Sequence, residues 1–200
     1  MSFIDYVGDN YARIVFLFAQ HVQVVLLAVA MATVVSLVLA LCTDRLPKVR
    51  RGLLSVTGTI LTIPSFALFG LMIPLFGLGV APTVLALTLY AVFPILRNAV
   101  TGLETVDAGV VDAARGMGMG TWKRMWAVRL PLAWPVILNG IRVTTLISIS
   151  IAVVGAVVQG PGLGILLING ISRIGAANSF FQVLTGTLFC LVVAAVFEVF

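Results

Sequence analysis

"VDAARGMGMGTWKRMWAVRLP", Val111 to Pro131, is a compact, basic, glycine-punctuated segment in a chain that is otherwise strongly apolar. Asp107 just upstream can cap a short helix through Val110, Val111, Ala113 and Ala114, because a carboxylate accepts from the unpaired N–H groups of a first turn. The alanines keep that helix thin, and the run Gly116 to Gly120 ends it. Thr121 is then expected to cap a second short helix, with Trp122, Met125 and Trp126 at i, i+3 and i+4. Lys123 and Arg124 face elsewhere, and Pro131 is expected to stop this helix and start the next segment. The spacing predicts a knob of two short helices joined by a glycine turn. A membrane-surface loop anchored by tryptophans would explain Trp122 and Trp126. It would not explain Asp-Ala-Ala, the glycine and the Leu-Pro together.

What surrounds the knob decides the fold class. The chain has 200 residues, 61% hydrophobic and 10% charged. Soluble domains carry about a quarter charged residues, so this balance belongs to a membrane protein. Apolar runs of bilayer length, roughly 17–25 residues, recur near Val22–Cys42, Leu53–Phe76, Ala81–Leu103, Leu132–Val158 and Phe180–Phe200. The expectation is one all-α membrane domain over residues 1–200, with about five spans and the knob in a loop over 104–131. The first run is expected to stay as a span, since Asp5, Asp9 and Arg13 precede it and no cleavage pattern follows. Tyr11, Ile14, Val15 and Phe18 stand at helical spacing ahead of it and suggest a helix on the membrane surface. Cys42 and Cys190 fit no metal spacing and are expected to pack.

The net charge of +5 is a topology signal rather than a sign of nucleic acid. Arg45, Lys48, Arg50 and Arg51 fill one loop, and Arg115, Lys123, Arg124 and Arg129 fill another. Only Arg13 and Arg173 lie clearly on the other side. Basic loops face the cytoplasm, which puts the N-terminus outside and the C-terminus inside.

Polar residues within the spans mark candidate pathway lining. Thr62, Pro64 and Ser65 sit in the second span. Proline there bends a helix that merely packs, or one that lines a path; both readings stay open. Pro94, near Arg97 and Asn98, raises the same choice, and Arg97 is expected to reach headgroups from the basic end. Asn139, Thr144 and Ser148 in the fourth span either allow close helix packing or form a mildly polar wall. "QGPGLG", Gln159 to Gly164, breaks that span. "ILLINGISRIG" after it is too short to cross and reads as a helix in the outer interface.

Several chemistries are missing. His21 is the single histidine, and it reads as structural. Asp5, Asp9, Asp44, Glu104, Asp107, Asp112 and Glu198 all avoid the membrane centre, where a proton- or sodium-coupled carrier keeps a carboxylate. No strand precedes the glycines at 116–120 and no Gly-Lys-Ser/Thr follows, so the segment is no phosphate loop. Uphill transport would need energy from a partner.

The segment resembles the cytoplasmic coupling loop of binding-protein-dependent ABC importer permeases. That family's pattern is Glu-Ala-Ala, three residues, Gly, nine residues, Ile, one residue, Leu-Pro. Here Asp112, Ala113, Ala114, Gly118, Val128, Leu130 and Pro131 keep every interval, with Asp for Glu and Val for Ile. The likeness implies the five-span type I importer fold, similar to the methionine importer permease, over essentially the whole chain. It implies an ATPase dimer that holds ATP and magnesium, an extracytoplasmic substrate-binding protein, and a second permease, identical or a sister. This chain would bind no cofactor and catalyse nothing by itself. "LTIPSFALFGLMIPLFGLG" and "YAVFPILRNAVTGLETVD" look like osmoprotectant permeases, implying glycine betaine, carnitine, choline or proline betaine as solute. An importer of another solute such as an amino acid, and a self-sufficient channel or carrier, are the alternatives.

Overall fold

The computed structural model describes residues 2–173 and 178–199. Ser2 caps α1 (Phe3–Asp9): its hydroxyl accepts from the Asp5 N–H, and its own N–H donates to the Asp5 carboxylate. This reciprocal pair satisfies two first-turn donors and holds the Asp5 carboxyl below its ordinary range. Asn10 ends α1, and α2 (Tyr11–Thr43) follows at once. Tyr11, Ile14, Val15 and Phe18 therefore belong to the first spanning helix and not to a separate surface helix. Ile14 is almost wholly buried, which shows that this face was selected by packing.

The second span is broken. α3 (Pro47–Leu61) and α4 (Ser65–Phe76) meet at a bend of 98°. Pro64 supplies no N–H and pushes the preceding residue out of the helical region, so the ladder cannot run through. α5 (Val80–Glu104) is the central helix, packed by α2, α3, α4 and α8. It is followed by α6 (Ala108–Gly116) and α7 (Thr121–Arg124). A π turn, Met125–Arg129, joins α7 to α8 (Leu130–Val154). One turn of 3₁₀ helix, Gly155–Val158, ends the fourth span, and Gln159 takes a left-handed conformation where the sequence breaks. α9 (Gly164–Ser172) and α10 (Ser179–Val199) complete the chain. Among the described residues, four helical runs are long and apolar enough to cross a membrane, and the bent α3–α4 pair makes a fifth span if counted as one.

Small residues let the helices approach. A Cβ on Gly140 of α8 would stand 2.5 Å from the Asn98 Cβ of α5, and one on Gly102 would meet the Ala133 carbonyl at 2.9 Å. Membrane helices associate by such close van der Waals fit, since lipid is as apolar as leucine. α9 does not lie free in an interface. Its Gly170 sits against Ser179 and Val183, Gly186 of α10 sits against Leu167, and Leu166 is fully buried. Ile174, near the end of "ILLINGISRIG", lies outside the described residues.

His21, read as structural, is fully buried inside the bundle nearly three turns into α2, where its Nε2–H donates to the Ile149 carbonyl at 3.1 Å; the expectation for Cys42 changes. Cys42 is exposed at the end of α2, while Cys190 packs half-buried against the core as expected. Arg45 after α2, Lys48, Arg50 and Arg51 at the start of α3, Arg115 on α6, Lys123 and Arg124 on α7 and Arg129 in the π turn make up the clustered arginines and lysines. That end is called the basic end below. α1 lies at the other, where Phe3 and Tyr6 stand about 6 Å from the Phe181 ring near the start of α10.

Candidate functional site

The basic-end knob forms, with a different join. Asp107 caps α6 through Oδ1, which accepts from Gly109 N–H at 2.7 Å and Val110 N–H at 3.2 Å. The other terminus closes by a paired bond pattern. Gly118 N–H donates to the Arg115 carbonyl and Met119 N–H to the Ala114 carbonyl. This is a Schellman cap, which needs a left-handed residue after the helix. Gly118 provides it at φ +79°. A Cβ there would meet open space, so its backbone conformation, not crowding, demands glycine. Asp112 and Ala113 lie exposed on α6 and Ala114 is buried beneath them.

Thr121 does not cap α7 through its side chain; extended Gly120 occupies that position. Nor does Pro131 end a helix. Thr121 to Val158 is one continuous helical run, and Pro131 lies inside it, directly after the π turn. Leu130 N–H reaches back five residues to the Met125 carbonyl, the wider ladder that defines the turn. Such a turn accommodates a ring that lacks a donor and would crowd an α-helix. Met125 is buried and Leu130 packs partly against the same cluster as Leu96, Val100 and Leu103. Val128 is half-buried. Trp122 and Trp126 are exposed with their rings 5.6 Å apart, edge to face.

An ion pair roots this run in the bundle. Arg129 donates to both Asp44 carboxylate oxygens, at 2.6 and 2.9 Å, and to the Leu103 carbonyl at 3.0 Å. Both side chains are about four-fifths or more buried, at 21% and 13% exposed. The fork of a guanidinium matches a carboxylate in two bonds. α2, α5 and the π turn are thereby clamped at one point. Arg50 and Glu104 add an outer pair at 2.5 Å, with the glutamate half in solvent. Counting these arginines as topology charge missed the clamp.

The six pathway candidates do not form one group. Thr144 and Ser148 are buried on α8 along a cleft of about 150 Å³ that also meets Tyr90, Phe93, Arg97 and Leu61. Thr62, Pro64 and Ser65 sit at the α3–α4 bend beside it. There the Tyr90 hydroxyl donates to the Ile63 carbonyl at 2.6 Å, which the break has deprived of its helical donor. A tyrosine in an apolar span facing a proline break was the available signal. Asn139 is elsewhere. It lines an open groove of about 790 Å³ between α2, α8 and α10, with Thr33, Arg142 and Thr145. Arg97 stands exposed seven residues inside α5 and also lines the cleft wall.

With this geometry in hand, known proteins give the lineage. Residues 32–200 match the family model described as "Binding-protein-dependent transport system inner membrane component". The chain is 42% identical over 177 residues to the osmoprotectant import permease protein OsmW of Salmonella typhimurium, covering 86% of this chain and 82% of that one. It is 31% identical over 169 residues to the glycine betaine/carnitine/choline transport system permease protein OpuCB of Bacillus subtilis, covering 84% and 78%. Among solved structures it resembles an inward-facing form of the MetNI methionine ABC transporter, with a TM-score of 0.83 at 19% identity over 99% of this chain and 94% of that one. A continuous helix from knob to span, a bent second span and a family match over most of the chain converge on one lineage: the chain belongs to the inner membrane components of binding-protein-dependent transport systems and has the fold of an ABC importer permease.

Proposed function

We propose that this chain is the permease through which osmoprotectants of the quaternary-amine class enter the cell, driven by a cytoplasmic ATPase that grips α6. The observation that carries the reading is the knob itself. Asp112 and Ala113 stand exposed on a short helix whose two ends are fixed by Asp107 and Gly118, and which leads through α7 and the π turn into a span. A push on α6 then reaches α8 along one chain path, with the Asp44–Arg129 clamp as its fulcrum. Asp112, Ala113, Ala114, Gly118, Val128, Leu130 and Pro131 are the coupling residues on this account, and Thr62, Pro64, Ser65, Thr144 and Ser148 border the route. Asn139, in the separate groove, has less support as lining.

The solute class rests on the printed functions of the relatives, osmoprotectant import and glycine betaine, carnitine and choline transport. The likeness to a methionine importer supports the fold and leaves the solute to the closer relatives. ATP and magnesium belong to the ATPase dimer, and an extracytoplasmic protein delivers the solute. A second permease, identical or a sister, completes the path, since five helices enclose a pore poorly. The basic end faces the cytoplasm, leaving α1 outside and the end of α10 inside, in a cell membrane whose inner leaflet favours arginine and lysine loops. Deletion of this chain should abolish uptake of a betaine or choline-like solute. Loss of amino-acid uptake with every such compound still imported would overturn the solute reading.

A further inference from the structure

The cleft between α5 and α8 has walls of unusual chemistry for a membrane interior. On α5, Tyr90, Phe93, Pro94 and Arg97 follow at i, i+3, i+4 and i+7; on α8, Thr144, Ile147, Ser148 and Ile151 do the same. Two helical stripes therefore face each other for two turns, about 10 Å along the axis. The enclosed space, about 150 Å³, equals roughly five times the liquid volume of one water molecule. Most polar groups on the walls are already engaged. The Tyr90 hydroxyl donates to the Ile63 carbonyl, Thr144 donates to the Gly140 carbonyl at 2.6 Å, and Asn98 Nδ2 donates to the Pro94 carbonyl at 2.8 Å. What the cleft offers a visitor is aromatic carbon at one end and a guanidinium at the other. Arg97 is exposed while it lines this cleft, and among the described residues no carboxylate forms an ion pair with it, so its guanidinium is open to an incoming anion.

That pattern is complementary to one kind of small molecule. A trimethylated ammonium has no N–H to donate and is held by ring faces and apolar walls. A carboxylate wants the planar fork of an arginine. We propose that this cleft is a transient solute subsite for a zwitterionic quaternary ammonium carboxylate, with Tyr90 and Phe93 facing the cation and Arg97 the carboxylate. The subsite rests on the solute class proposed above. It adds a selectivity that the permease itself would impose: a carboxylate-bearing amine is favoured, while choline, a cation with only a hydroxyl, meets repulsion from Arg97. Tyr90 also ties the subsite to the α3–α4 bend through Ile63, so occupancy and bend share one side chain.

The test uses the complete transporter, permease with its ATPase and binding protein, in liposomes. Uptake of glycine betaine and of choline is measured for the parental chain, Arg97→Gln and Arg97→Lys, with ATPase activity without solute as a control on assembly. Arg97→Gln should lower glycine betaine uptake at least tenfold and leave choline uptake within twofold or raise it. Arg97→Lys should recover part of the glycine betaine uptake. Equal losses for both solutes, or no loss for either, would overturn the subsite while leaving the solute class standing. If the parental complex imports glycine betaine but no choline, loss in the Gln variant with recovery in the Lys variant supports the subsite, and equal loss in both contradicts it. Import of choline alone contradicts it too. A parental complex that imports no quaternary amine overturns the solute class, and the subsite with it.

Discussion

Arg129 holds Asp44 by two hydrogen bonds across 85 residues of sequence, and with its second nitrogen it also holds the Leu103 carbonyl. One side chain thus joins the ends of three spans at the root of the coupling segment. An exposed ion pair is worth about 0–1 kcal/mol, whereas breaking a buried pair from one side costs about 3–5 kcal/mol. This clamp lies between the two.

Arg129→Ala should therefore destabilise the assembled transporter by roughly 1–3 kcal/mol, more than Arg50→Ala, whose partner Glu104 is 51% exposed on its side chain. Thermal unfolding of the two variants in the same detergent compares them. Equal melting temperatures would show that the clamp carries no more than the surface pair.

The Tyr90 hydroxyl should hold the bend of the second span. Tyr90→Phe removes the donor and leaves the part-buried Ile63 carbonyl without it, a loss of about 1 kcal/mol. Spin labels placed at positions 56 and 71, on α3 and α4, should report a broader distance distribution in the variant. An unchanged distribution would show that Pro64 alone fixes the bend.

Topology can be read by thiol labelling. In a chain with Cys42 and Cys190 replaced by serine, Gly8→Cys and Arg173→Cys should react with an impermeant reagent from outside. Lys48→Cys and Lys123→Cys should be protected in sealed right-side-out preparations. The reverse pattern would contradict the orientation.

The parts legible in the sequence were those set by neighbours along the chain. Asp107 and Gly118 could be placed because a cap and a left-handed turn are local requirements. The break at Gln159–Gly164 was visible for the same reason. The π turn was not. An i+5 ladder at Met125–Arg129 is stabilised by burial of Met125 and by the pull of Asp44 on Arg129, both tertiary, so Pro131 read as a stop. Tyr90 and Ile63 are 27 residues apart; the tyrosine and the proline break each stand out in their spans, but only the fold brings the two together. Asn139 and Thr144 looked alike in sequence because both are polar residues in one span. Five residues turn them about 140° apart around the helix, toward different cavities.

Gly118→Ala isolates the backbone demand of the turn. A side chain at φ +79° costs roughly 1–2 kcal/mol with no clash to add, so α6 should fray at its end while the spans remain folded. Proteolysis at Arg115 should quicken in the variant, and the melting temperature of the bundle should move little. Unchanged cleavage would show that the turn is not under conformational demand.

The central claim is that α6 passes force from the ATPase to the spans, and Asp112→Lys tests it most directly. Asp112 is exposed, so charge reversal should leave the fold and membrane insertion intact. Transport and solute-stimulated ATP hydrolysis are measured together on the full complex in liposomes, beside the parental chain. The account predicts that transport falls at least tenfold, with hydrolysis either falling in step or persisting uncoupled. Transport at the parental rate with normal coupling to hydrolysis would contradict it and make the segment a membrane anchor.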